Sequence, residues 1–148
     1  MNITISLAQE IDLPDWLEMR NLLWPNHDKQ ELLAEMRQIL LKLDVSPVFI
    51  ARANGATPVG FLEGGTRPYA DGADSSPVGY IEGWYVGEAY RRVGVGRALV
   101  ACFEDWCREK GLSEVGSDTW LENEISILAH NKLGYTVSER LVHFVKKL

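Results

Sequence analysis

The residue pattern predicts an α/β fold of the α+β kind, with a central mixed, mostly antiparallel sheet flanked by helices in the order β-α-α-β-β-β-α-β-α-β. Three observations carry that reading. Period-two alternation and helical stripes succeed one another along the whole chain. Two strand-like runs meet at Asn54-Gly55, a dipeptide suited to the positive φ angles of a hairpin turn. The last strands are separated by helical stretches, as crossover connections require. With 148 residues the chain fits one domain, residues 1–148, and its 46% hydrophobic content supplies a core without a disulfide or metal staple.

Residues 2–7 alternate Ile3, Ile5 and Leu7 with polar neighbours, a half-buried strand. Pro14 suits the first turn of a helix carrying Trp16, Leu17, Leu22 and Leu23, which must stop near Pro25. Asp28 with Glu31 forms a capping-box start, and Leu32, Leu33, Met36, Ile39, Leu40 and Leu43 then share one helical stripe. Residues 48–53 and 59–63 read as the hairpin strands, and residues 64–79, rich in Gly, Pro, Asp and Ser, as a long loop of the length that is usually functional or disordered. Residues 80–86 resume as a strand. A helix over residues 95–110 gathers Ala98, Leu99, Cys102, Phe103, Trp106 and Cys107 on one face and ends at Gly111. Residues 114–118 are a short strand, residues 124–133 a helix capped by Gly134, and residues 137–145 a final strand or pair of strands.

Fifteen basic against twenty-one acidic residues give a net charge of −6, which disfavours a nucleic-acid partner and weakly favours a cationic one. Four carboxylates and only Arg67 lie between Glu63 and Glu82, whereas Arg91, Arg92 and Arg97 crowd together just after. The longest apolar run, residues 98–103, is too short for a membrane span, and no basic residue precedes Arg20 as a secretory signal would need, so a cytoplasmic protein without membrane attachment is expected. Cys102 and Cys107 lie about 140° apart around one helix, cannot pair, and read as reduced core residues. No metal is expected.

The segment Arg91-Arg92-Val93-Gly94-Val95-Gly96, between a strand and a helix, sets backbone amides free of bulky side chains at a helix amino terminus, an arrangement that binds phosphate. A Gly-rich turn without ligand is the plain alternative. A dinucleotide-binding fingerprint fits less well, because Leu99 stands at its third glycine, and the Walker lysine is absent.

This hexad resembles the (Gln/Arg)-x-x-Gly-x-(Gly/Ala) signature of the GNAT acetyltransferases, and the element order over essentially the whole chain is similar to theirs. The resemblance implies acetyl-CoA as cosubstrate, with Arg91, Arg92, Val93, Gly94, Val95, Gly96 and Arg97 at its pyrophosphate and Trp84, Tyr85 and Val86 along its pantetheine. Asn123, Ser126, His130 and Leu133-Gly134-Tyr135 match the family pattern N-x-x-A-x-x-x-Y-x-x-x-G-F. Asn123 is implied to bond the pantetheine, or to cap a helix. His130 stands where many members carry a tyrosine proposed to protonate the leaving thiolate, and is either that acid or an ordinary helix histidine.

Trp24-Pro25-x-His27, Asp74-Ser75-Ser76-Pro77-Val78, Glu82-Gly83 and Ser117-Asp118-Thr119 further resemble the aminoglycoside 6'-N-acetyltransferases. That likeness implies a polycationic antibiotic substrate, with Trp24, His27, Tyr69, Glu82, Asp118 and Glu139 around it, direct attack of the 6'-amine on the thioester, antibiotic resistance as the outcome, and a homodimer. Holding an amine of lysine-like basicity neutral at pH 7 costs at most about 4.6 kcal/mol, so a proton acceptor is needed, with Glu82 the first candidate and Asp118 the second. The same residues are compatible with acetylation of a polyamine, a peptide amino terminus or lysine, and with an acyl-CoA-binding module that transfers nothing.

Overall fold

In the computed structural model, which describes residues 1–148, one five-stranded sheet runs β1-β2-β3-β4-β5 in both sequence and space. The strands are β1 (Ile3–Leu7), β2 (Val48–Ala53), β3 (Thr57–Arg67), β4 (Val78–Val86) and β5 (Val115–Ser117). The helices are α1 (Leu13–Leu23), α2 (Lys29–Leu40), α3 (Val95–Glu109) and α4 (Glu124–Lys132). The first four strands are antiparallel neighbours, and β5 alone joins in parallel, after the α3 crossover. This is the expected mixed architecture.

The two sheet faces bury different partners because the side chains alternate. On β2, Phe49, Ala51 and Ala53 pack with Leu99, Val100 and Phe103 of α3, while Val48 and Ile50 pack with Trp16 and Met19 of α1 and Met36 of α2. A bulge between β3 and β4 breaks this alternation: Glu63 pairs with Gly83 and Gly64 with Ile81, leaving Glu82 as the extra residue. Ile81, Trp84 and Val86 therefore pack on the α3 side, whereas Tyr85 packs on the α1 side and Gly83 meets Trp24 there.

Several expected boundaries move. β3 runs on to Arg67 and β4 begins at Val78, so the loop shrinks to residues 68–77. Gly64 looked like loop because it is glycine, yet it is needed in the strand: a Cβ there would stand 2.2 Å from the Phe103 ring. Asp28 caps α2 through the Gln30 amide at 2.7 Å, a one-sided cap in place of the reciprocal box expected with Glu31. Asn54 and Gly55 take the positive φ angles expected of them. Residues 137–145, expected as a final strand or pair of strands, form no strand: they find no neighbouring strand to pair with, and Val142, Phe144 and Val145 are exposed. Cys102 and Cys107 are free, and burial pushes the Cys107 thiol up to about 11. No helix is long and apolar enough to cross a membrane.

The close approach at Gly64 gives a direct test. Phe103 is fully buried and its ring cannot swing aside, so Gly64→Ala is expected to lower stability by about 2 kcal/mol or more, read from urea unfolding midpoints.

Candidate active site

Three residue pairs hold β4 to β5, ending at Ile81 opposite Ser117. Beyond that pair β4 continues to Val86 with β3 on one side only, so its other edge offers unpaired backbone groups along a cleft. Trp84, Tyr85 and Val86 lie on this edge. A single-turn helix, Glu88–Tyr90, then leads to Arg91, whose Nε donates to the Val86 carbonyl at 2.9 Å. Arg91 thus braces the end of β4.

The amino terminus of α3 opens beside this cleft. Arg92 and Gly94 turn through φ angles of 65° and 94°, and no side chain caps the helix. Its first amides are therefore available to an anion, reinforced by the helix dipole and by the exposed Arg92 and Arg97. The two glycines serve separately. Gly94 supplies a left-handed turn facing open space, whereas a Cβ at Gly96 would stand 3.0 Å from the Trp84 indole. Val93 is exposed and Val95 buried, anchoring the turn.

At the parting of β4 and β5, His130 Nδ1 lies 2.7 Å from the Ser126 carbonyl oxygen and Nε2 lies 2.8 Å from Ser117 Oγ. Trp84 and Tyr135 meet the imidazole edge-on from either side, at 5.2 and 5.8 Å between centroids. Asn123 Oδ1 accepts from the Ser126 amide at 3.1 Å, so this side chain does cap α4. The structure thereby brings Trp84, Ser117, Asn123, His130 and the α3 terminus to one side of the sheet.

The opposite side carries an acid-lined cavity of about 500 Å³ between α1, α2, β3 and β4. Trp24, His27 and Glu82 line it together with Arg20, Glu35 and Glu63, whereas Tyr69, Asp118 and Glu139 do not. Neither expected proton acceptor stands free. Glu82 is clasped by Arg67 through two bonds of 2.9 and 2.7 Å, and Asp118 accepts from the Tyr80 hydroxyl at 2.5 Å. Arg67 also lies 3.6 Å over the Tyr80 ring, which joins the two carboxylates into one network. Burial and Asp118 raise the Tyr80 hydroxyl above its ordinary range, so it remains a donor.

The loop of residues 68–77 joins β3 to β4 and supplies none of the residues that line this cavity. Tyr69 is exposed and donates to Asp71 at 2.8 Å, and Ser138 of the tail donates to the Asp71 carbonyl at 3.0 Å, which sets Glu139 near Tyr69. Glu114 fixes the other end, accepting from the amides of Asp74 and Ser75 at 2.9 and 2.7 Å and from the Ser75 hydroxyl, bonds that hold its carboxyl below the usual range.

Arg20, Glu35, Glu63 and Arg67 escaped the sequence reading. Arg20 and Glu63 are both buried and pair through Nε at 2.7 Å, with Glu35 at 2.7 Å on Nη1. Arg20 also lies 4.9 Å from the Trp24 ring, so it supports the cavity wall. One signal was present: Arg20 sits one turn after Trp16, on the stripe α1 buries. Burial pushes the Glu63 carboxyl from 4.5 to about 7 against the pull of Arg20. Burial also opposes the charge on Arg20, but Glu63 and Glu35 more than offset it. Glu63 Oε2 has no hydrogen-bond partner.

Residues 13–135 match the model of the acetyltransferase (GNAT) family. The chain is 39% identical over 142 residues to an aminoglycoside N(6')-acetyltransferase type 1 of Stenotrophomonas maltophilia, covering 95% of this chain and 91% of that one. The type 1 enzyme of Klebsiella aerogenes is 41% identical, with 95% and 94% covered. Among solved structures, AAC(6')-Iy in complex with the bisubstrate analog CoA-S-monomethyl-acetylneamine superposes with a TM-score of 0.93 at 35% identity, covering both chains entirely. AAC(6')-Ih from Acinetobacter baumannii gives 0.92 at 35% identity, with 99% of each chain covered.

The Glu63 shift has a readable sign. Its carboxyl is raised in the folded chain, so the folded state holds an extra proton between pH about 4.5 and about 7, and stability falls as pH climbs through that window, by at most about 3 kcal/mol. In Glu63→Gln this decline is expected to disappear, as urea unfolding at a series of pH values would reveal.

Proposed function

The chain belongs to the GNAT acetyltransferase family, an acetyl-CoA-dependent group of N-acetyltransferases, and from that premise we propose that it acetylates the 6'-amino group of aminoglycoside antibiotics and so confers resistance to them. The observation that carries the reading is the placement of two complementary sites on one bulged strand. An uncapped helix amino terminus of the kind that binds phosphate opens on one side of β4, and an acid-lined, tryptophan-walled cavity opens on the other.

The residues fit acetyl-CoA. Open amides at Gly94–Gly96 with Arg92 and Arg97 suit a diphosphate, and the unpaired edge at Trp84–Val86 suits an amide-bearing arm. When bound, acetyl-CoA supplies an activated acetyl thioester. Backbone N–H groups near the end of β4 stabilise negative charge developing on the carbonyl oxygen. Trp24, His27, Tyr69, Glu82, Asp118 and Glu139 bind and orient the polycation, its ammonium groups facing carboxylates and its sugar rings packing on flat side chains. Glu82 and Asp118, each already hydrogen-bonded, act chiefly as binders that keep the reacting nitrogen at the cleft. His130 serves proton transfer at the leaving group.

Residues 1–148 form one domain, and the enzyme works in the cytoplasm, in keeping with its two unpaired thiols. It works as a homodimer. The tail after Val137 carries exposed Val142, Phe144 and Val145, strand-like in sequence, while β5 is a three-residue edge strand, and a second copy of the chain would cover both.

A panel of amines monitored by CoA thiol release tests the activity. Kanamycin and tobramycin are expected to be acetylated, and preferential turnover of a polyamine, a peptide amino terminus or lysine would overturn the assignment. In Glu82→Gln, KM for kanamycin should rise about tenfold, equivalent to about 1.4 kcal/mol of lost charge pairing. Sedimentation should give twice the monomer mass, and the monomer mass after removal of the residues following Ser138.

A further inference from the structure

We infer that Ser117 hands the proton to the departing sulfur of the acyl donor, with His130 the positioning residue that aims Ser117 and restores its hydrogen. The inference rests on the acetyl-transfer reading above and gives a role to a residue that the motif match leaves without one.

The Ser126 carbonyl oxygen only accepts, and at 2.7 Å from His130 Nδ1 it is closer than the Ser126 hydroxyl at 3.3 Å, so the geometry favours a hydrogen on Nδ1 in the neutral ring as well as in the charged one. Nε2 is then the nitrogen that gains and loses its proton, and its partner at 2.8 Å is Ser117 Oγ. In the neutral ring Ser117 donates to Nε2. In the imidazolium Nε2 donates to Ser117, and the hydroxyl hydrogen is released to point elsewhere. Both charge states keep both hydrogen bonds, as a relay requires.

The released hydrogen has somewhere to go. Ser117 faces Ile81 in the last β4–β5 pair, at the point where the cleft opens. Trp84 and Tyr135 pack against the imidazole with interplanar angles of 89° and 86°, and its two nitrogens are held by Ser126 and Ser117. The nearby phenols are committed, Tyr135 to Glu104 at 2.8 Å and Tyr80 to Asp118 at 2.5 Å. The groups facing the ring are Trp84 of β4, Ser117 of β5, Ser126 within α4, and Tyr135 with Glu104 of α3 behind it; neither ring nitrogen takes part in an ion pair.

The step balances. As the amine N–C bond forms and the C–S bond breaks, the sulfur takes the hydrogen of Ser117 Oγ and Ser117 takes the Nε2 hydrogen of His130. His130 is left neutral, with Nδ1 still donating to Ser126. The surplus proton of the amine passes to water, which also recharges His130 before the next turnover.

Ser117→Ala, Ser117→Thr, His130→Gln and the double variant Ser117→Ala/His130→Gln are compared with the parent enzyme in four measurements. These are acetyl-CoA affinity by calorimetry, the pH profile of kcat for kanamycin, acceptor-free hydrolysis of acetyl-CoA, and nitrogen NMR of the His130 ring. Affinity should be unchanged in all variants. Ser117→Ala and His130→Gln should each lose about a hundredfold in kcat, together with the limb that declines toward high pH in the parent. The double variant should be no slower than either single one, and Ser117→Thr should recover most of the rate. The parent ring should show Nδ1 protonated and Nε2 bare at high pH. Parental kcat in Ser117→Ala, multiplicative losses in the double variant, or an Nε2-protonated neutral ring would overturn the relay. A parent that leaves kanamycin untouched, yet hydrolyses acetyl-CoA more slowly after Ser117→Ala, would remove the acceptor assignment and uphold the relay.

Discussion

Pairing between β4 and β5 stops after three residues, and the chemistry of the molecule is organised around that stop. A parallel pair that continued to Val86 would use up the backbone edge along which an acyl donor can lie. Because β5 turns away after Ser117, the edge stays open, and the helix that fed the crossover presents its bare amino terminus to the same opening. The bulge at Glu82 adds the second half. One extra residue shifts the phase of β4, so that Trp84 faces the α3 side with His130 while Tyr85 and Gly83 face the cavity under Trp24. A single strand thus borders a different candidate site on each of its two faces.

Such a device needs a rigid support, and the protein builds it from both hydrophobic and ionic parts. Phe103 fits against Gly64, and Trp24 fits against Gly83, where a Cβ would come within 2.6 Å of the indole. Arg20, buried among Trp16 and Trp24, is retained by Glu63 beneath and Glu35 at the surface. Burying a charge among aromatic rings is costly unless it is paired, and the pairing here crosses from α1 to both the sheet and α2. The cavity wall and the fold therefore share the same ion cluster.

Much of this was legible in the chain itself. The apolar stripes of α2 and α3 were plain, as were the turn at Asn54-Gly55 and the glycine stops at Gly111 and Gly134, all of which take positive φ angles. Local chemistry decides such features. The long-range ones were hidden. Arg67 and Glu82 lie on neighbouring strands, and only the register after the bulge sets the guanidinium against the carboxylate. Gly64 and Gly65 read as loop because glycine seldom favours a strand, whereas the packing of α3 demands a residue without a side chain at Gly64. Asn123 was left between two readings, and its cap on α4 is now visible while its amide nitrogen stays available. The tail, strand-like by its apolar content, forms no strand within one chain, since pairing depends on neighbours that composition cannot name.

Arg67 has one more consequence. Lying across Tyr80 and grasping Glu82, which lines the acid-lined cavity, it is a tethered cation already seated on one of that cavity's carboxylates. A lone ammonium arriving from solution must compete with that tethered rival and gains little by the exchange. On the proposed reading, a molecule with several ammonium groups would displace it at Glu82 while engaging other carboxylates, so the number of charges would count before shape.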